Sequence, residues 1–344
     1  MTPALPLFPI YWRYLGLPLS RAKGLLVDQV PISLVETLVW IGLICALLLG
    51  LFIISGSGSW LKSRPRLLIL LLSGPVLLIL MGLGQGAFPL SLAPTAWREP
   101  LAKTLAGPPL SYPAFQSVLR RRENHLLQNF SPGYYESLSE QEILVGCDHA
   151  LDGVLARLNL PPGRTVRRMK PMGPLTTVLG LTYGGPAFHD PFLGEMAMIR
   201  PEDHPAPRYW RLIGICHEEA HAKGFTREMD AEILTQLALS SSPDLRYRLL
   251  GDIMYLRKSG ERIHFPGYLR NEILRSRDSL EQVEKRQKTV ALLRKISLKL
   301  RFQNSGGKYG SREGSENWDP HHAFFATVEA LLDRPDGDPD RGEP

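Results

Sequence analysis

The chain has 344 residues, 44% of them apolar and 22% charged, more than one ordinary core uses, so about two units are expected. Its net charge of +6 suits nucleic acid, an anionic membrane surface or charges flanking an anchor, but no basic stripe interleaved with aromatics occurs, and no nucleic-acid partner is expected. Three cysteines, Cys45, Cys147 and Cys216, are too few for a disulfide framework; a Cys147–Cys216 bridge is conceivable, and cysteine usage leaves the compartment open.

The apolar excess sits in the first ninety residues. Leu38 to Ile54 and Leu67 to Gly84 are charge-free runs, extended by neighbours such as Val35 and Phe88, so membrane helices are expected at about 35–55 and 67–88. A pair of buried core helices is the plainer alternative. The aromatics Tyr11, Trp12 and Tyr14 before the first run suit a headgroup region. Lys62, Arg64 and Arg66 make the connector the densest basic cluster, which places it in the cytoplasm and the rest of the chain outside. The expected organisation is a membrane anchor over 1–88, a Pro-rich linker over 89–112, a mainly helical domain with a small sheet over 113–333, and a disordered tail over 334–344. The implied partners are the lipid bilayer and a substrate.

Within the domain, Ser139 and Glu142 form a capping box before a stripe at Ile143, Leu144, Cys147, Leu151, Val154, Leu155 and Leu158. Short apolar runs between Arg164 and Ile199 predict strands, including TTVLGLTY and Glu195 to Ile199. The stretch from Pro191 to Ile199 suits either a substrate-pairing strand or an inner one, and Glu195 either lines the cleft or ends a turn. Met169, Met172, Met196 and Met198 read as core filler. Arg208 to Lys223 predicts a helix ended by Gly224. Thr226 is the expected N-cap of the next helix, Ser241 or Ser242 of the one after. A charged helix over Leu269–Arg301 holds ten Lys or Arg against four acids and reads as a solvated face. Asp319-Pro320 opens a final helix to Leu332.

The chemistry concentrates in His217-Glu218-Glu219-Ala220-His221, an H-E-x-x-H sequence. Residues four apart share a helix face, so both imidazoles can reach one ion, and zinc is the expected metal. Glu218 sits beside the first ligand, where its carboxylate can take a proton from a water that the ion acidifies. The bland reading is a surface helix with salt-bridging side chains. Glu219 is unusual at a middle position, but it points away from the metal face. His321 and His322 could form a second site; solvated histidines are the commoner outcome. Tyr247, Tyr255, His264 and Tyr309 are candidate donors to transition-state charge.

Glu228-Met229-Asp230-Ala231-Glu232 resembles the E-x-x-A-D element of several integral-membrane gluzincin peptidases. That match implies Glu228 as third ligand and Glu232 as an acceptor for a ligand histidine N–H, with Asp230 as the fallback ligand. More widely, the chain resembles the bacterial two-span membrane proteins known as domain of unknown function 3810. The matching pieces are Trp12 to Leu34, Pro191 to Glu195, His217 to His221 with Gly224-Phe225, Arg227 to Ala231, Leu245-Arg246-Tyr247, and a looser stretch from Gly306 to Leu332. Members usually carry H-E-L-A-H and E-x-E-A-N, where this chain has Glu219, Asp230 and Glu232. The resemblance implies a zincin-like metallopeptidase with no assigned substrate, and it favours Tyr247 among the donor candidates. The competing expectation is a non-catalytic, zinc-stabilised sensor or assembly module, for which an intact Glu218 has no use.

Overall fold

The computed structural model describes residues 25–55, 110–160, 163–173, 208–259, 265–271 and 320–332 with few gaps, together with 187–190, 195–199 and scattered positions between 69 and 108. The protein is α+β and mainly helical. Its helices are α1 (Leu34–Ile54), α2 (Tyr112–Asn129), α3 (Gly133–Glu136), α4 (Glu140–Arg157), α5 (Arg208–Ala222), α6 (Glu228–Ser240), α7 (Leu245–Ser259) and α8 (Pro320–Leu332). The strands are β1 (Lys170–Pro171), β2 (Ala187–Asp190) and β3 (Glu195–Met198).

Helix α6 is the axis of the domain. From Asp230 to Leu239 all its residues but Glu232 are buried, an all-round burial expected of a helix enclosed by neighbours. It packs against α4, α5, α7 and α8, and α2 lies on α7. Helix α4 begins at the expected capping box, with Ser139 Oγ accepting from Glu142 N–H and Glu142 Oε2 accepting from Ser139 N–H. Its apolar stripe is buried from Ile143 to Leu155, while Leu158, the C-cap residue, is only partly buried. The thiols of Cys147 on α4 and Cys216 on α5 are hydrogen-bonded to each other and remain free, and burial foremost pushes Cys147 well up.

The sheet has the order β1-β3-β2, with β3 parallel to β1 and antiparallel to β2. The segment from Glu195 is therefore an inner strand, with β1 and β2 outside it among the described residues. Thr177, inside the run expected as a strand, is helical, and most of TTVLGLTY lies outside the described residues. Met172, Met196 and Met198 are core residues, with Met169 packed against them.

The expected linker is integrated where it is described. Leu101 is buried in the core and donates its N–H to Asp230 Oδ1 at 2.8 Å, and α2 starts at Tyr112. Proline content signalled an irregular path here, but an irregular path can still pack. Helix α7 begins after Asp244, whose carboxylate accepts from Arg246 N–H, later than the serine caps anticipated. Thr226, His264, Tyr309, the charged helix after 271 and the tail lie outside the described residues.

The first apolar run forms α1, and its start is built into the domain. Ser33 Oγ accepts from Glu36 N–H, and Glu195 Oε2, on β3, accepts from Leu34 N–H at 2.8 Å. A carboxylate facing the exposed amides of a first turn satisfies them and suits the positive end of the helix dipole. Asp28, just upstream, is buried against Arg164 and the Arg167 N–H. No helix among the described residues is long and apolar enough to cross a membrane. Helix α1 has 21 residues, but its first turn and Glu36 are held in the domain, and the charge-free apolar stretch is Leu38 to Ile54. At 1.5 Å per residue that run is about 25 Å long, short of the roughly 30 Å of hydrocarbon. The second expected span, 67–88, lies almost wholly outside the described residues.

Candidate metal centre

Helix α5 carries His217, Glu218 and His221, and the turn after it returns Glu228 to the same place. The turn is a Schellman closure: Phe225 N–H donates to the Ala220 carbonyl and Gly224 N–H to the His221 carbonyl. Gly224 has φ 104°, a left-handed conformation that costs glycine little and other residues more. Phe225, buried behind the turn, presents its carbonyl 2.6 Å from His221 Nδ1. With Nδ1–H donating there, His221 directs Nε2 toward His217 and Glu228.

Three potential ligand atoms converge. His217 Nε2 is 3.1 Å from His221 Nε2 and 3.2 Å from Glu228 Oε2, and His221 Nε2 is 3.8 Å from Glu228 Oε2. Ligands bonded to zinc at 2.0–2.1 Å in tetrahedral geometry stand about 3.3 Å apart, so these separations bracket what the ion needs. The donor chemistry, two imidazoles and one carboxylate, also suits it. The Glu228 carboxylate is the shared hydrogen-bond partner of the two imidazoles. Hydrogen bonds from His217 and His221 hold Glu228 well below the usual carboxylate range. Burial opposes charge on His221, but Glu228, Glu218 and the Phe225 carbonyl outweigh it and raise the imidazole to about 9. The Glu228 side chain is 76% exposed, so the centre opens to solvent on that side.

Glu218 is half-buried between this centre and the sheet. Its carboxylate accepts a hydrogen bond from the His189 backbone N–H of β2. Burial raises its pKa, against the opposing pull of His217 and His221. Helix α5 and strand β2 therefore meet at this carboxylate, and α5 packs directly on β2. No side-chain pattern announces the backbone donor of His189. The role of Phe225 had a partial signal, since an apolar residue after a C-cap glycine is typical of this closure.

Other expected roles are corrected. Asp230 is buried and accepts from Leu101 N–H, so it is committed to the core. Glu232 pairs with Lys258 Nζ, and the acceptor for His221 is the Phe225 carbonyl instead. Tyr247 lies against α4, its hydroxyl donating to the Glu142 carbonyl at 3.2 Å, so the structure does not bring it to the histidine pair. Tyr255 is fully buried, with the Arg122 guanidinium over its ring. Glu195 is an anchor point rather than a cleft residue, since it is fully buried and also pairs with Lys170. Glu219 does point away from the centre: it is fully buried, with Val166 N–H donating to Oε1 and Lys223 and Asp148 beside it. His321 and His322 lie in the first turn of α8.

Comparison with family models finds none that matches the chain, and searches of curated proteins and of solved structures return no match either. Any functional reading therefore rests on the residues themselves.

Proposed function

We propose that the protein is a membrane-anchored zinc metallopeptidase of gluzincin type, with His217, His221 and Glu228 holding the ion and Glu218 as the catalytic base. The observation that carries this is the convergence of three ligand atoms at tetrahedral spacing beside a half-buried carboxylate. A divalent ion held there polarises the attacked carbonyl and makes a nearby water easier to deprotonate. Glu218 takes one proton from the attacking water. The water oxygen joins the carbonyl carbon, Glu218 passes that proton to the amide nitrogen, and the C–N bond breaks to leave a carboxylic acid and an amine, the acid then giving its proton to the amine through solvent. The His189 N–H holds the carboxylate in place through this exchange. A purely structural ion is a poorer fit, since such sites are closed and this one is open through Glu228.

The membrane part rests on α1 and its neighbour. Ile44, Leu47 and Leu51 are 53%, 64% and 54% exposed on a helix that holds no charge after Glu36. Such a surface is disfavoured in water and ordinary in lipid. Gly74, from the second apolar run, comes so close that an added Cβ would stand 2.4 Å from Cys45 Cβ and 3.1 Å from the Gly42 carbonyl oxygen. Close crossing at small residues is how helices associate in bilayers. A run somewhat shorter than the hydrocarbon is accommodated by local thinning. An extracytoplasmic domain follows from the connector charges.

The test is metal analysis and turnover of the full chain. About one equivalent of zinc is expected in the wild type and in Glu218→Gln, and far less in His221→Ala. Activity should fall by about 10²-fold or more in Glu218→Gln. Equal metal in all three proteins removes the proposal; metal bound but activity unaffected by Glu218→Gln indicates the non-catalytic module.

A further inference from the structure

The start of the apolar helix and the catalytic carboxylate are joined by a short relay. Leu34 N–H is bonded to Glu195 Oε2. Glu195 opens β3 and is the register partner of Asp190 on β2. The next residue along β2, His189, donates its backbone N–H to Glu218. Each step is a hydrogen bond, a ladder pair or one peptide unit, so Leu34 lies no more than about 20 Å from the Glu218 carboxylate. Buried charge locks the relay: the Lys170 ammonium lies 3.4 Å from Glu195 Oε2, with both side chains shut off from solvent. A second clamp joins Asp28, just before the helix, to Arg164 and to the Arg167 N–H.

The level of the bilayer follows from α1 itself. Glu36 is buried, and its Oε1 accepts from Trp40 Nε1 at 2.8 Å, while the Trp40 ring is half exposed. A tryptophan with an anchored N–H and an exposed ring suits the headgroup layer, and only apolar or small residues follow it to Ile54. Trp40 is six residues after Leu34, about 9 Å along the helix. The candidate centre therefore stands within about 30 Å of the headgroup layer, the span of roughly nine extended residues.

We infer that the substrates are membrane-bound polypeptides, cut within about ten residues of the bilayer surface, because the anchor helix is rigidly joined through Glu195 to the strand that flanks Glu218. This rests on the anchored-peptidase reading. A mobile tether would let the domain reach distant sites. Here the helix N-terminus is itself part of the domain, so the cleft cannot leave the membrane without breaking a buried ion pair and the cap on α1.

The position is measured without any metal or turnover. Single cysteines carrying a fluorophore are placed at Leu47, Arg227 and Ser241 in full-length protein with Cys45→Ala, reconstituted in phosphatidylcholine vesicles. Cys147 and Cys216 are buried and stay unlabelled. Leu47 reports insertion, Arg227 adjoins the ligand Glu228, and Ser241 follows the opposite end of α6. Energy transfer to acceptor-labelled headgroups, which reaches over the whole inferred distance, is expected to be at least twice as strong from the label at 227 as from that at 241, and acyl-chain nitroxides are expected to quench the label at 47. Unquenched 47 removes the anchor and this inference with it. Quenched 47 with equal transfer from 227 and 241 overturns the inference alone. In the second arm, a random peptide library is offered free or attached to a lipid anchor in the same vesicles. Cuts at least tenfold faster on anchored peptides, within the first ten residues, are expected. Equal rates, or cuts spread along the peptide, overturn it; no cleavage of either by zinc-loaded protein overturns the peptidase reading as well.

Discussion

The Tyr247 hydroxyl donates to the Glu142 carbonyl in a slot that exists because residue 146 is glycine: a Cβ there would stand 2.0 Å from the hydroxyl oxygen. Replacing Tyr247 by phenylalanine removes one neutral hydrogen bond and should lower stability by about 1 kcal/mol, read by urea denaturation. Turnover should stay within about twofold of wild type, whereas loss of a transition-state donor costs about 10²-fold; a loss of that size would return Tyr247 to the centre. Glu219 makes a complementary case. Burial foremost lifts its pKa well above the ordinary carboxylate range, despite the pull of Lys223, so its surroundings favour the neutral carboxyl. Glutamine is then nearly isosteric in shape and charge. Glu219→Gln should change stability by less than about 1 kcal/mol and leave metal content unaltered. A loss of several kcal/mol would mean that Glu219 is ionised and balances Lys223.

At the scale of elements, the turn between α5 and α6 does most to define the centre. Gly224 sets the path that brings the Phe225 carbonyl to His221 and Glu228 to both histidines. An alanine at 224 should cost about 1 kcal/mol or more through its positive φ. It should also weaken zinc binding about tenfold, as loss of a partner to a ligand histidine does, measured by competition with a chromophoric chelator. Unchanged affinity would show that the histidine pair needs no help from this turn. These features were legible because they are local: the H-E-x-x-H spacing, the glycine stop and the capping box at Ser139 each act within one or two helical turns. The sheet was less legible. Its strands are two to four residues long, and β3 became an inner strand only through pairing with β1 and β2. The cap that Glu195 gives Leu34 joins residues 161 apart, and no local pattern carries such a contact. The place of Leu101 in the core likewise is not legible from composition alone.

For the whole molecule, the last described helix is fixed by charge as well as by apolar packing. Arg122 on α2 bonds Asp252 on α7 at 2.9 Å and Glu329 on α8 at 2.8 Å, and all three side chains are buried. Its guanidinium stacks over the Tyr255 ring, 4.1 Å from the centroid, and His125 approaches the other oxygen of Asp252. One planar fork thus joins helices that begin more than two hundred residues apart. Arg122→Ala leaves two buried carboxylates short of their cation and should cost about 3–5 kcal/mol. Exposed Arg121 also contacts Glu329, but it lies at the solvent edge and can recover little of that loss. Replacing all three charged residues together, Arg122→Met with Asp252→Leu and Glu329→Leu, should be far milder, because no buried charge is left unpaired and the remaining neighbours, Arg121 and His125, reach solvent. Thermal and urea unfolding of both variants decide it. A single variant no worse than the triple would mean that the network adds little and that apolar contacts alone, such as Phe325 against Phe115 and Tyr255, hold α8 in place. Zinc content per folded molecule should stay constant in both, since none of these residues touches the turn that presents Glu228.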